Sequence, residues 1–92
     1  MAELLSDTEI SDRLRGSDWT LEGQHIVRDW KFKDFAEAMA FVNRVAGNAE
    51  EANHHPDILI HGWNKVRLSL TNHSAGGLTE TDFVLAGHFV RL

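Results

Sequence analysis

The stretch EEANHHPDILIHGWNKV, residues 50–66, sets His54 beside His55, follows them with Pro56 and places His61 further on. Histidine titrates near pH ~6.5, so a group of such rings can hold one protonated and one neutral member together, which is the equipment for general acid/base work. The same rings can ligate zinc, with Glu50, Glu51, Asp57 and Asp82 as accompanying carboxylates. Adjacent histidines are also ordinary polar surface. Nothing in the spacing matches a recognised metal motif such as H-E-x-x-H. The chain has no cysteine, which removes thiolate nucleophiles, disulfides and every Cys-based zinc site. Hydration, dehydration and tautomerisation only move protons, need no nucleophile and suit what is present.

The elements that must position these rings follow from patterning. Ser6 with Glu9 fits a capping box for a short helix through about Arg15, with Leu5, Ile10 and Leu14 as its apolar points. Trp19 and Leu21, then Ile26, Arg28, Trp30 and Phe32, alternate as two strands joined at Glu22-Gly23-Gln24. Asp34 caps the clearest helix, whose stripe is read as Phe35, Met39, Val42 and Ala46, widened by Ala38, Phe41 and Val45. That helix reaches Gly47 or continues to Ala52. DILIHGW and NKVRLSLTNH read as a third and fourth strand. Thr79 caps a last helix with Asp82 at its third position and Phe83, Ala86, Gly87 and Val90 as its stripe. The order αββαββα predicts an α+β two-layer fold over a single domain, residues 1–92: a four-stranded antiparallel sheet with helices packed on one face.

This frame sorts the histidines. Proline pushes the residue before it into extended backbone, so His54 and His55 are expected to point in different directions. The fourth strand runs back antiparallel and brings His73 near them, while His61 lies at the opposite turn. His25, His61 and His88 receive no role. Asp82 has a structural explanation at a helix N-terminus. Glu50 lies near a helix C-terminus, where a negative charge is unfavourable by ~0.3–1 kcal/mol, so its placement calls for another reason. Trp63 reads as a core or interface aromatic.

Net charge is −5, and the nine lysines and arginines are scattered, which argues against direct nucleic-acid binding. No run approaches the ~20 apolar residues of a membrane span. MAELLSDTEISDRL has neither a basic n-region nor an apolar h-region, so a cytoplasmic location is expected. A sheet this small leaves edges that a second subunit would cover.

Taken together, Glu50, His54-His55-Pro56, Trp63, His73 and Asp82, at these spacings, resemble the signature of the pterin-4a-carbinolamine dehydratases. GSDWTLEG, FKDFAEAMAFVNRVA and WNKVRLSLTNHSAGGLTETDF agree, and the likeness runs from about Ile10 to Phe89. The resemblance implies dehydration of a 4a-hydroxytetrahydropterin to quinonoid dihydropterin, in tetrahydrobiopterin recycling beside an aromatic amino-acid hydroxylase. No metal or organic cofactor is implied. It carries over a catalytic set of His54, His55, His73 and Glu50. His54 and His73 would act as acid and base near C4a, and His55 would mainly hold the pterin. Asn53, Thr71, Asn72, His73 and Ser74 would line the pocket, Trp19 and Trp63 would wall it, and Asp82 would be the secondary carboxylate. The family commonly has Thr where this chain has Asn72. It also implies a homodimer or homotetramer. The alternatives are a dimerisation cofactor of a transcription factor, as animal members are, and a related role in molybdopterin metabolism.

Overall fold

A computed structural model of the protein describes residues 3–92. Three helices and four strands follow one another as α1 (Asp7–Leu14), β1 (Thr20–Glu22), β2 (His25–Lys31), α2 (Phe35–Ala52), β3 (Asp57–His61), β4 (Lys65–Leu70) and α3 (Glu80–Phe89). The sheet order is β1-β2-β4-β3, with every neighbouring pair antiparallel. The expected two-layer α+β architecture is therefore the one observed.

The helices begin where their side chains can satisfy orphan N–H groups. Ser6 and Glu9 form the reciprocal capping box of α1, and Asp34 accepts from the Glu37 N–H at 2.8 Å to open α2. The β2–β4 register sets Ile26 opposite Leu70, Arg28 opposite Leu68 and Trp30 opposite Val66. Those residues form the helix-facing side of the sheet, where Ile26, Val66, Leu68 and Leu70 are fully buried. Phe41, Val45, Leu85 and Phe89 close over them from α2 and α3. Among the described residues, the other side, with Asp29, Arg67, Leu59 and His61, receives no helix.

Two helix stripes differ from expectation. The buried residues of α2 are Ala38, Phe41, Val45 and Ala49, whereas Phe35 is 53% exposed and Ala46 is exposed. The buried stripe is the set read as widening the face, Ala38, Phe41 and Val45, extended to Ala49, rather than the set of Phe35, Met39, Val42 and Ala46. Both sets have helical spacing, because α2 is apolar over more than half its circumference, and the sheet takes only one of them. In α3, Asp82, Leu85, Ala86 and Phe89 are buried, while Val84 and Val90 are about half exposed and Gly87 is exposed. Of the expected Phe83, Ala86, Gly87 and Val90, only Ala86 is central. The longer of the two anticipated ends for α2, at Ala52, is the observed one.

Candidate active site

Helix α2 ends in a way that delivers both adjacent histidines. Its C-cap, Asn53, has φ 50° and ψ 42°, in the left-handed region that asparagine tolerates better than most side chains. The N–H groups of Asn53 and His54 fold back onto carbonyls of the last turn, the second reaching Ala49 at 3.1 Å. The chain thus reverses within one residue, and Pro56 then leads it into β3.

His54 and His55 turn to different helices. His54 Nε2 lies 2.5 Å from Oδ1 of Asp82 in α3. His55 Nε2 pairs with Oε2 of Glu50 in the last turn of α2. The environments differ sharply: the side chains of His54 and Asp82 are 14% and 0% exposed, those of His55 and Glu50 56% and 77%. A charge-assisted bond is stronger where water is excluded, so the His54–Asp82 pair is the firmly held one. Asp82 meets a second demand at the same time. Its Oδ2 accepts from the Thr79 N–H at 2.8 Å and from the Thr79 hydroxyl at 3.3 Å, securing the start of α3.

His73 comes from the loop after β4. The register Asp57 to Ser69 sets the start of β3 beside the end of β4, so His54, His55 and His73 gather at one end of the sheet. Asn72 builds that loop. Its N–H reaches the Gly77 carbonyl, its own carbonyl accepts from Gly76 and Gly77, and its Oδ1 accepts from the Ala75 N–H at 3.0 Å. The Asn72 side chain is thus occupied in holding the loop that presents His73 and Ser74, both exposed. Gly77 sits close under Leu4 and Gln24: a Cβ there would stand 3.2 Å from the Leu4 side chain, which would have to give by a few tenths of an ångström. The Thr71 hydroxyl donates to the Gln24 carbonyl at 2.7 Å, tying the loop to the β1–β2 turn.

A fourth ring stands at the same end. His25, the first residue of β2, has Nδ1 3.0 Å from Ser69 Oγ, and its ring meets His73 edge to face at 6.2 Å between centroids. Sequence reasoning gave His25 no role, because nothing local announces that β2 pairs with β4. The two tryptophans expected to wall the pocket, Trp19 and Trp63, lie elsewhere. Trp19 is buried against Trp30 in the core, its Nε1 without a hydrogen-bond partner. Trp63 is 61% exposed on the β3–β4 turn, the far end of the sheet from His54. Within one chain, neither reaches the histidines. His61 also lies at that far end.

With two carboxylate-backed imidazoles and His73 at the same end of the sheet, the site holds groups that can deliver a proton to one atom and remove one from another. With Nε2–H directed at Asp82, the nitrogen His54 leaves for a substrate is Nδ1. Among the described residues, no three His, Asp or Glu side chains converge so as to hold a metal ion.

Comparison with known proteins identifies the family. A family model described as pterin 4 alpha carbinolamine dehydratase matches residues 3–92. A protein of Nostoc sp. provisionally named pterin-4-alpha-carbinolamine dehydratase is 56% identical over 87 residues, covering 94% of this chain and 92% of its own. Its counterpart in Picosynechococcus sp., also provisionally named, is 50% identical over 93 residues and covers both chains completely. Among solved structures, the transcriptional coactivator/pterin dehydratase from Brucella melitensis superposes with a TM-score of 0.87 at 34% identity, over 95% of each chain. A pterin dehydratase-like protein described as a RuBisCO assembly factor in the alpha-carboxysome shares the fold, with a TM-score of 0.66 at 23% identity over 80% of this chain and 87% of its own. Family model, relatives and fold coincide over almost the whole length, and the chain belongs to the pterin 4 alpha carbinolamine dehydratase family.

Proposed function

We propose that this protein is a hydro-lyase that dehydrates a 4a-hydroxytetrahydropterin to the quinonoid dihydropterin. The C4a–O bond breaks as the hydroxyl is protonated and leaves as water, N5 gives up its proton, and the C4a–N5 double bond forms. Nothing is oxidised or reduced, so proton donors and acceptors are all the step consumes. His54 and His73 are the acid/base pair. Asp82 orients His54, and Glu50 orients His55, which holds the pterin edge together with backbone groups of Asn53, Thr71, Asn72 and Ser74. The observation that carries this reading is the His54–Asp82 contact at 2.5 Å, a buried carboxylate that fixes one ring nitrogen of a largely buried histidine and leaves the other unpaired. In the cell the protein acts downstream of an aromatic amino-acid hydroxylase, in tetrahydrobiopterin recycling in the cytoplasm, as a homodimer or homotetramer.

The test is a stopped-flow assay with chemically generated 4a-hydroxytetrahydropterin. The protein should accelerate formation of quinonoid dihydropterin well above the spontaneous rate; an unchanged rate refutes the proposal.

A coactivator-type role through protein contacts is the second reading. The Brucella melitensis protein is described as a transcriptional coactivator as well as a pterin dehydratase, and Phe35, Val84 and Val90 leave apolar surface exposed on α2 and α3 here. A dehydratase-inactive histidine variant that keeps such an activity would separate the two roles.

A further inference from the structure

The end of the sheet away from His54, His55 and His73 carries an arrangement that folding alone disfavours. Lys31, Lys65 and His61 are direct cross-strand partners, one row over β2, β4 and β3. Residues paired in this way stand on one face, here the face that receives no helix, because the adjacent row of Trp30, Val66 and Ile60 packs into the core layer. Like charges set directly opposite each other are destabilising. All three residues are exposed, and among the described residues none makes an ion pair. The neighbouring acid, Asp29, is committed to Arg67, which it engages through both oxygens at 2.8 and 3.0 Å.

These groups share a concavity. Asp29, Trp30, Lys31, His61, Lys65 and Arg67 line a cleft of about 350 Å³. Arg67 faces Asp29 and, at 3.8 Å, Glu22, so the positive character of the cleft comes from Lys31 and Lys65, in a protein whose net charge is −5. Its rim is firmly built. Asn64 Nδ2 donates to the Phe32 carbonyl at 2.9 Å and the Phe32 N–H returns to the Asn64 carbonyl at 2.8 Å, clamping the β3–β4 turn to the end of β2. That turn keeps Trp63 in the left-handed region, at φ 57°, a conformation costly for an aromatic residue.

We propose that this cleft is a binding site for a small phosphate-type oxyanion, seated between the Lys31 and Lys65 ammonium groups and closed on a third side by His61. Lysine ammoniums act on phosphate as point charges, and the bound anion would remove the repulsion that the row otherwise carries. The size and the modest excess charge fit a single phosphate or phosphate monoester and fall short of what a nucleic-acid backbone requires.

Titration of the intact ¹⁵N-labelled protein with inorganic phosphate, at ionic strength held constant with sodium chloride, tests the site. Saturable amide shifts centred on Lys31, His61 and Lys65 are expected, with affinity at least tenfold weaker in Lys65→Met and, separately, in Lys31→Met. Both variants should melt no lower than wild type without phosphate, and their dehydration rates should be unchanged. Linear, unsaturable shifts, saturation centred elsewhere, or equal affinity in wild type and both variants would overturn the assignment.

Discussion

Asp82 divides one carboxylate between a helix start and a histidine, and that double use separates it from Glu50. Replacing Asp82 with Ala removes the acceptor of the buried Thr79 N–H, a loss of about 1–3 kcal/mol in denaturant stability. Glu50→Ala, on an exposed pair, should stay within about 0.5 kcal/mol of wild type. Dehydration should fall in both variants, further for Asp82→Ala, because the ring it orients is the more enclosed. Equal stability losses would mean that burial does not distinguish the two carboxylates. From the sequence Glu50 looked the more informative acid, since capping already explained Asp82. A carboxylate has two oxygens, however, and capping occupied only one. His25 was invisible for a different reason: its neighbours Ser69 and His73 are brought to it by a strand pairing with no local signal.

At the scale of elements, helix limits and caps were readable because they depend on neighbouring residues: Ser6, Asp34 and Thr79 each precede the helix that starts there. Which face of α2 and α3 turns inward was not, since both helices offer more apolar surface than the sheet covers. One ion pair joins the first and last helices. Arg13 of α1 binds Glu80 at the start of α3, and this hydrogen-bonded guanidinium holds the Glu80 carboxyl below its ordinary value of 4.5. A carboxyl lowered by folding adds stability above the unfolded value and loses it as pH falls through the folded value. Glu80→Gln should therefore melt below wild type at pH 6–7, with the gap closing as pH falls below the ordinary carboxyl value of 4.5 and through the lower folded one. A gap of constant size across that range would show that the pair's charge contributes nothing. The magnitude should be small, because both side chains are solvent-accessible.

For the whole molecule, the two hairpins were legible, and joining them through β2 and β4 gives the order β1-β2-β4-β3, with the start of β3 beside the end of β4 and His54, just before β3, reaching Asp82 at the start of α3. Leu68, at the centre of that sheet and fully buried, anchors the joint, and Leu68→Ala should cost about 2–5 kcal/mol. The face of α2 and α3 left outside the core, with Phe35, Val84 and Val90, is suited to a second copy of the chain. Light scattering should give the mass of a dimer or tetramer, and Val84→Asp should reduce it. A monomeric wild type would contradict the expected assembly and require the exposed apolar residues to serve another partner. The central claim rests on the chemistry of His54 and His73, and the single-turnover rate of 4a-hydroxytetrahydropterin dehydration tests it most directly. His54→Ala and His73→Ala should each lower that rate by roughly 10²–10⁴ relative to wild type while remaining folded. Rates within a few-fold of wild type in either variant would contradict its assignment as an acid/base group.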